Sequence, residues 1–172
     1  MAALMLAACS GGDPNEVGEL RPYINPALGF RVDYPSNWQP VEDPDFLVGD
    51  FPDQLHAVIF LSDQASGAVF SVLVQKLDGE ISLADYGEEQ FAGAQSQAGD
   101  QVTYTAPVST TLGDVEALTV QASIEQDGST IVQRVVLAVN KGQGYGISMA
   151  APENSLLIKT MDDMLATFGF LP

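Results

Sequence analysis

From Leu55 to Ala150 the chain is a succession of runs in which apolar and polar residues alternate, closed repeatedly by pairs such as Asp78-Gly79, Gly113-Asp114 and Asp127-Gly128. Successive side chains of a strand point to opposite faces, so a period of two marks a strand with one buried side. A two-residue loop of the Asp-Gly kind supplies the positive φ that a tight reversal needs, and it joins neighbours antiparallel. The chain is therefore constrained to an antiparallel sheet before any other feature is considered.

Leu28 to Trp38 places Phe30, Val32 and Tyr34 on one side and Arg31 and Asp33 on the other, and ends at Pro35-Ser36-Asn37. Leu55 to Ser62 and Ala68 to Leu77 read as a hairpin about the turn Gln64 to Gly67. Gln101 to Leu112 reads as one strand. Val115 to Gln126 follows, with Leu118, Val120, Ala122 and Ile124 on one face, and then Ser129 to Asn140. Gly142 to Gly146 is a glycine-rich turn rather than a phosphate loop, because no helix follows whose N-terminus could grip an anion. A short strand, Tyr145 to Ala150, comes after it.

Two helices interrupt the pattern. Ser82-Leu-Ala-Asp85 is a capping sequence, and Leu83, Tyr86, Phe91 and Ala94 make an apolar stripe extending to about Gln97. Pro152 suits a first helical position, and Leu157, Met161, Met164, Leu165 and Phe168 follow at helical spacing. The expected fold class is α+β: one domain, 23–172, of antiparallel strands and two helices. That length, roughly 150 residues, suffices for one full core.

The segment Gly29-Phe30-Arg-Val-Asp-Tyr34-Pro35-Ser-Asn-Trp38 opens this order, and the Ser82 helix and the Gly144-Tyr145-Gly-Ile147 strand continue it. A C-terminal amphipathic helix closes it at Thr167-Phe-Gly-Phe170. The whole resembles the PsbP-like family, that of the photosystem II extrinsic subunit P and the related Mog-type fold. The resemblance implies a central antiparallel sheet flanked by helices, an α/β/α sandwich, and a non-enzymatic accessory or binding role. It implies no catalytic residues.

The only cysteine, Cys9, ends the run Leu6-Ala7-Ala8-Cys9, which resembles a bacterial lipobox. There the thiol becomes thioether-linked to diacylglycerol, and each buried methylene contributes ~0.8 kcal/mol of membrane affinity. The expected organisation is a truncated lipoprotein signal over 1–9, a flexible tether over 10–22 and the domain beyond. No Lys or Arg precedes Arg21, so the signal is expected to extend upstream of Met1. The competing reading is a cytosolic tail in which Cys9 is incidental. The lipoprotein reading places the protein at the cell membrane or outer membrane, lipid-anchored, on the extracytoplasmic side. Its partners are then the membrane, through the anchor, and an envelope protein.

The 23 Asp and Glu against 6 Lys and Arg give a net charge of −17, which repels nucleic acid and anionic headgroups. After Cys9 no stretch approaches the ~18 apolar residues that a membrane span needs. No Gly-x-Ser-x-Gly elbow is present, and the sole histidine, His56, opens an apolar strand, where it reads as an edge residue more readily than as a general base. The chain is therefore expected not to be an enzyme and to carry no cofactor beyond the lipid on Cys9. One further candidate is an acidic loop with Glu42, Asp43, Asp45, Asp50 and Asp53, whose oxygens suit a hard cation such as Ca2+. Its spacing differs from the Asp-x-Asp-x-Asp-Gly calcium loop, and Pro44 and Pro52 stiffen it, so a solvated acidic loop is the competing reading. Two function classes remain: a tethered, non-catalytic binding or accessory domain, and a protein that binds a cation or small ligand through the 42–53 loop.

Overall fold

Alternation and tight turns organise the strands into two antiparallel sheets. The structure, a computed structural model, describes residues 17–43, 55–62, 67–98, 102–126 and 128–172. The larger sheet runs in the order β3 (Gln39–Glu42), β4 (Leu55–Leu61), β5 (Val69–Lys76), β10 (Gln143–Pro152), β9 (Ser129–Asn140), β8 (Val115–Gln126) and β6 (Val102–Tyr104), with β7 (Val108–Leu112) also on β8. The smaller sheet pairs β1 (Leu20–Asn25) with β2 (Phe30–Pro35) and β2 with β11 (Gly169–Phe170). Helix α1 spans Leu83–Ala98 and α2 spans Leu157–Thr167.

The turns fix the register. Asn140 opposes Gln143 across Lys141-Gly142, whose φ values of 50° and 74° are those of a two-residue hairpin. Gln126 opposes Ser129 across a turn containing Gly128, at φ 79°, and Leu112 opposes Val115 across Gly113, at φ 58°. With register set, β10 sends Tyr145, Ile147 and Met149 to one face, opposite Val74, Val72 and Phe70 of β5. These side chains, with Val58 and Phe60 of β4, pack on Phe30, Val32 and Tyr34 of β2 and on Leu157, Met161 and Met164 of α2. Phe30 stacks on Phe168 at 5.5 Å, and the buried Tyr145 hydroxyl lies 3.0 Å from the Leu28 carbonyl.

The opposite face carries α1. Ser82 caps it as its sequence predicts, its Oγ accepting the Asp85 N–H at 3.1 Å. Tyr86 is buried beside Leu77 and Leu137, with Phe91 and Val135 packed against them. The helix approaches the sheet closely because β10 offers no side chain beneath Tyr86: a methyl group on Gly144 would lie 2.5–2.7 Å from the tyrosine ring.

The sheet dominates this fold. A second sheet, rather than a helical layer, covers much of the core face beside α2, so the architecture only approaches the expected α/β/α sandwich. Four local expectations are also corrected. Gln101 to Leu112 is not one strand, because Thr105 to Pro107 separates β6 from β7, and Pro107 has no N–H to give a ladder. Pro152 ends β10 instead of opening a helix. A turn follows in which the Ser155 N–H donates to the Pro152 carbonyl, and α2 begins at Leu157. Of Gly142 to Gly146 only Gly142 lies in the turn, and the rest belongs to β10. Leu20 to Pro22 of the tether stretch lie in β1.

The contact between Tyr86 and Gly144 yields a double-mutant prediction. Gly144→Ala should destabilise the protein by roughly 1–3 kcal/mol through overpacking. In a Tyr86→Ala background the same change should be neutral or favourable by up to ~1 kcal/mol, since alanine is then the better strand residue. Denaturant unfolding of the four proteins measures both values. Equal costs in the two backgrounds would contradict this packing.

Candidate functional site

Of the concave regions along the larger sheet, two bear on the candidate residues and on binding, one polar and one apolar. The polar one lies at the end of β3 and β4. Glu42 closes β3 and accepts a hydrogen bond from the Tyr23 hydroxyl at 2.5 Å, while Asn25 donates to the same hydroxyl at 3.0 Å. Burial, then the bond to Glu42, pushes the Tyr23 pKa up to about 12, so the phenol stays protonated.

Asp43 follows in the left-handed region, at φ 39°, a conformation that aspartate tolerates better than most residues. Both of its faces are used by Ala57: its N–H donates to the Ala57 carbonyl at 2.7 Å, and its Oδ1 accepts the Ala57 N–H at 2.8 Å. The other oxygen, Oδ2, lies 3.1 Å from His56 Nδ1. The Ala57 N–H, and then His56, hold the Asp43 pKa below its ordinary 3.8. With Asn25, Lys76 and Gln143, these residues line a cleft of about 440 Å3.

This geometry brings Glu42, Asp43 and His56 together, but each carboxylate is already engaged by a donor of the fold. Among the described residues no group of three His, Cys, Asp or Glu could hold a metal ion. Asp45, Asp50 and Asp53, the rest of the candidate cation loop, and the candidate lipidation residue Cys9 lie outside the described residues. His56 is half exposed on one strand, beside one exposed aspartate. That arrangement orients an imidazole without placing it over an enclosed cavity.

The apolar region is a groove between α1 and the sheet face that α1 only partly covers. Its volume is about 590 Å3. Leu55 and Ile59 of β4, Leu73 of β5, Val135 of β9 and Val120 of β8 form apolar parts of its wall and floor, with Phe91 from the helix. Gln75, Gln90, Gln133, Tyr104 and Ser148 supply uncharged polar groups. The described lining includes no Asp, Glu, Lys, Arg or His. Buried Tyr86, its pKa raised to about 12 by burial and then by Glu89, is neutral too. Such a surface can exclude water from an apolar ligand and offer it hydrogen bonds, and its described lining includes no carboxylate, imidazole or amine to activate the Ser71 or Ser148 hydroxyl.

Sequence reasoning assigned Val120 and the Phe91 stripe correctly to buried faces but did not find the groove. The available signal was Gly144-x-Gly146-x-Ser148, small residues recurring at a period of two on one face of β10.

No protein-family model matches the chain, and no curated protein matches it. Solved structures do. The solution structure of cyanobacterial PsbP (CyanoP) from Synechocystis sp. PCC 6803 is 18% identical, with a TM-score of 0.64, covering 96% of this chain and 98% of that one. A crystal structure from Bacteroides thetaiotaomicron is 15% identical, with a TM-score of 0.58, and covers 91% of this chain but 50% of that one. A protein of unknown function from Pseudomonas aeruginosa is 14% identical, with a TM-score of 0.57, covering 90% and 99%. At these identities the likeness is one of fold, and the fold is PsbP-like.

The Asp43 bonds make one prediction about pH. A carboxyl held below its ordinary value contributes stability above pH 3.8, and loses it as pH falls through the lower value of the folded state. The Tm difference between the native protein and Asp43→Asn should therefore be steady above that pH and should shrink below it. A difference unchanged by acid would show that the carboxylate is not engaged in solution.

Proposed function

We propose that this protein is a membrane-tethered, non-catalytic binding or accessory lipoprotein of the cell envelope, anchored by acylated Cys9 on the extracytoplasmic side. The observation that carries the binding role is the charge-free groove beside α1, which suits recognition of an uncharged ligand. In this reading the sandwich is incomplete: α1 is its outer layer on one face, and the uncovered part of that face is the binding surface.

Three further features support the reading. The PsbP-like fold is that of a cyanobacterial PsbP. No helix among the described residues is long and apolar enough to cross a membrane, and the lipobox sequence Leu6-Ala7-Ala8-Cys9 offers an anchor of another kind. The net charge of −17 disfavours direct adsorption to anionic headgroups, which a lipid anchor and a tether do not require.

Intact-mass analysis of the protein from its host's membrane fraction tests the anchor. The expected chain begins at Cys9 and carries a diacylglyceryl adduct. A chain without acylation would end the lipoprotein reading.

A second reading, a cation or small ligand held by the 42–53 loop, is favoured by one observation: Glu42 and Asp43 share a cleft with His56. A calcium titration separates the two. A cation that binds only the folded protein would stabilise it by about 2.7 kcal/mol at a hundred times its Kd. Because the donors of the fold already occupy both carboxylates, the expected change in Tm is none. A rise that saturates with calcium would transfer the function to the loop.

A further inference from the structure

Gly146 is an unusual residue for its place. It sits inside β10, between Leu73 of β5 and Leu137 of β9, where a glycine costs roughly 0.5–1 kcal/mol relative to alanine. Two positions earlier the same exchange has a reason, since the Tyr86 ring fills the space above Gly144. Nothing comparable stands over Gly146. A methyl group there would meet only Leu137 Cδ2 at 3.5 Å and Leu73 Cβ at 3.8 Å, both ordinary contacts. The protein's own packing therefore does not require a glycine at this point. A glycine inside a strand often marks a bulge, a bend or a site where another molecule approaches the backbone, and β10 keeps unbroken register with both neighbours through Gly146, so there is no bulge here.

The residue lies in the groove floor, and the groove's chemistry narrows what can approach. The chain carries 29 charged Asp, Glu, Lys and Arg side chains in all (23 and 6), yet none of the described groove residues is among them. A buried anion would meet no counter-charge there and would also face the net charge of −17. A buried cation would likewise lack a carboxylate. The polar groups present are amides and hydroxyls, which pair with a neutral hydroxyl or ester. The volume of about 590 Å3 falls within the roughly 300–1,000 Å3 of small-molecule pockets.

Resting on the binding-domain reading above, we propose that the groove binds an uncharged, elongated apolar molecule of the lipid-alcohol class. Its apolar body lies over Gly146, and its hydroxyl or ester head lies at the Tyr86 end of the groove, by Gln75, which opposes Gly144, and Gln90, one helical turn beyond Tyr86. Matching an uncharged ligand to an uncharged groove is also the selection rule, because the corresponding carboxylic acid has the same body and is refused at its head.

Retinol and retinoic acid are suitable probes, being an alcohol and an acid with one shared apolar body, and retinol is itself fluorescent. Retinol should bind the whole protein with saturable fluorescence enhancement, and retinoic acid should compete at least about tenfold more weakly. Gly146→Val, which restores a good strand former, should keep or raise Tm while weakening retinol about tenfold or more, since its methyl groups occupy the floor. Gln90→Glu, an isosteric change on the helix surface, should weaken retinol several-fold without altering the fold, and it serves if the valine variant does not fold.

Retinol bound equally by native protein and both variants would place it outside the groove and overturn the proposal. Tighter binding of retinoic acid would overturn the uncharged class while leaving the groove as the binding face. Binding of neither probe would overturn the proposal without touching the lipid anchor, which is read separately by mass.

Discussion

The fold depends on an asymmetry along one strand. β10 lies between β5 and β9 near the middle of the larger sheet, and its side chains are large on one face and small on the other. Tyr145, Ile147 and Met149 fill the core, while Gly144, Gly146 and Ser148 leave the opposite face bare. Burial of the large set joins the two sheets and α2 into one hydrophobic unit, each fully buried side chain of this size contributing about 1.5–3 kcal/mol. The bare set decides where α1 can come close. Tyr86 reaches the backbone at Gly144, Gly87 lies close against Leu118, and a groove lined by both helix and sheet runs beside these contacts.

Electrostatics follows the same division. Among the described residues the acidic excess is kept from the core, where the one buried side chain classed as polar is Thr160, and from the groove lining. The few ion pairs among the described residues stand at the surface: Arg134 with Asp162 and Lys159 with Asp163, both at 2.6 Å. Pairs so exposed contribute little to stability, typically ~0–1 kcal/mol. The fold therefore rests on packing, and the charge shapes what the outer surface will attract or refuse. An uncharged groove within a strongly acidic protein is selective because of that contrast.

Much of the fold was legible in the sequence because a strand's two faces are written into its alternation. Phe30, Val32 and Tyr34 could be assigned to the core, and Ser82 to a helix start, from local chemistry alone. β1 was not legible, since Pro22 and the Gly- and Pro-rich residues before it resemble a tether, and only pairing with β2 makes them a strand. β3 and β11 are too short to show a period. Pro107 carried a signal for the break between β6 and β7, whereas Pro152 was ambiguous between a strand end and a helix start. The groove was hidden for a different reason. Alternation says which face a residue takes, but whether a helix covers that face depends on the distant contact of Tyr86 with Gly144.

The most direct test of this account places a photo-crosslinking phenylalanine analogue at Phe91, inside the groove, and another at Leu156, an exposed apolar residue just before α2. Both proteins would be irradiated in their host and the mass of each adduct measured. The account predicts a discrete small-molecule adduct at position 91 and none at 156. No adduct at 91, or the same adducts at both positions, would contradict the claim that this groove is the protein's binding face.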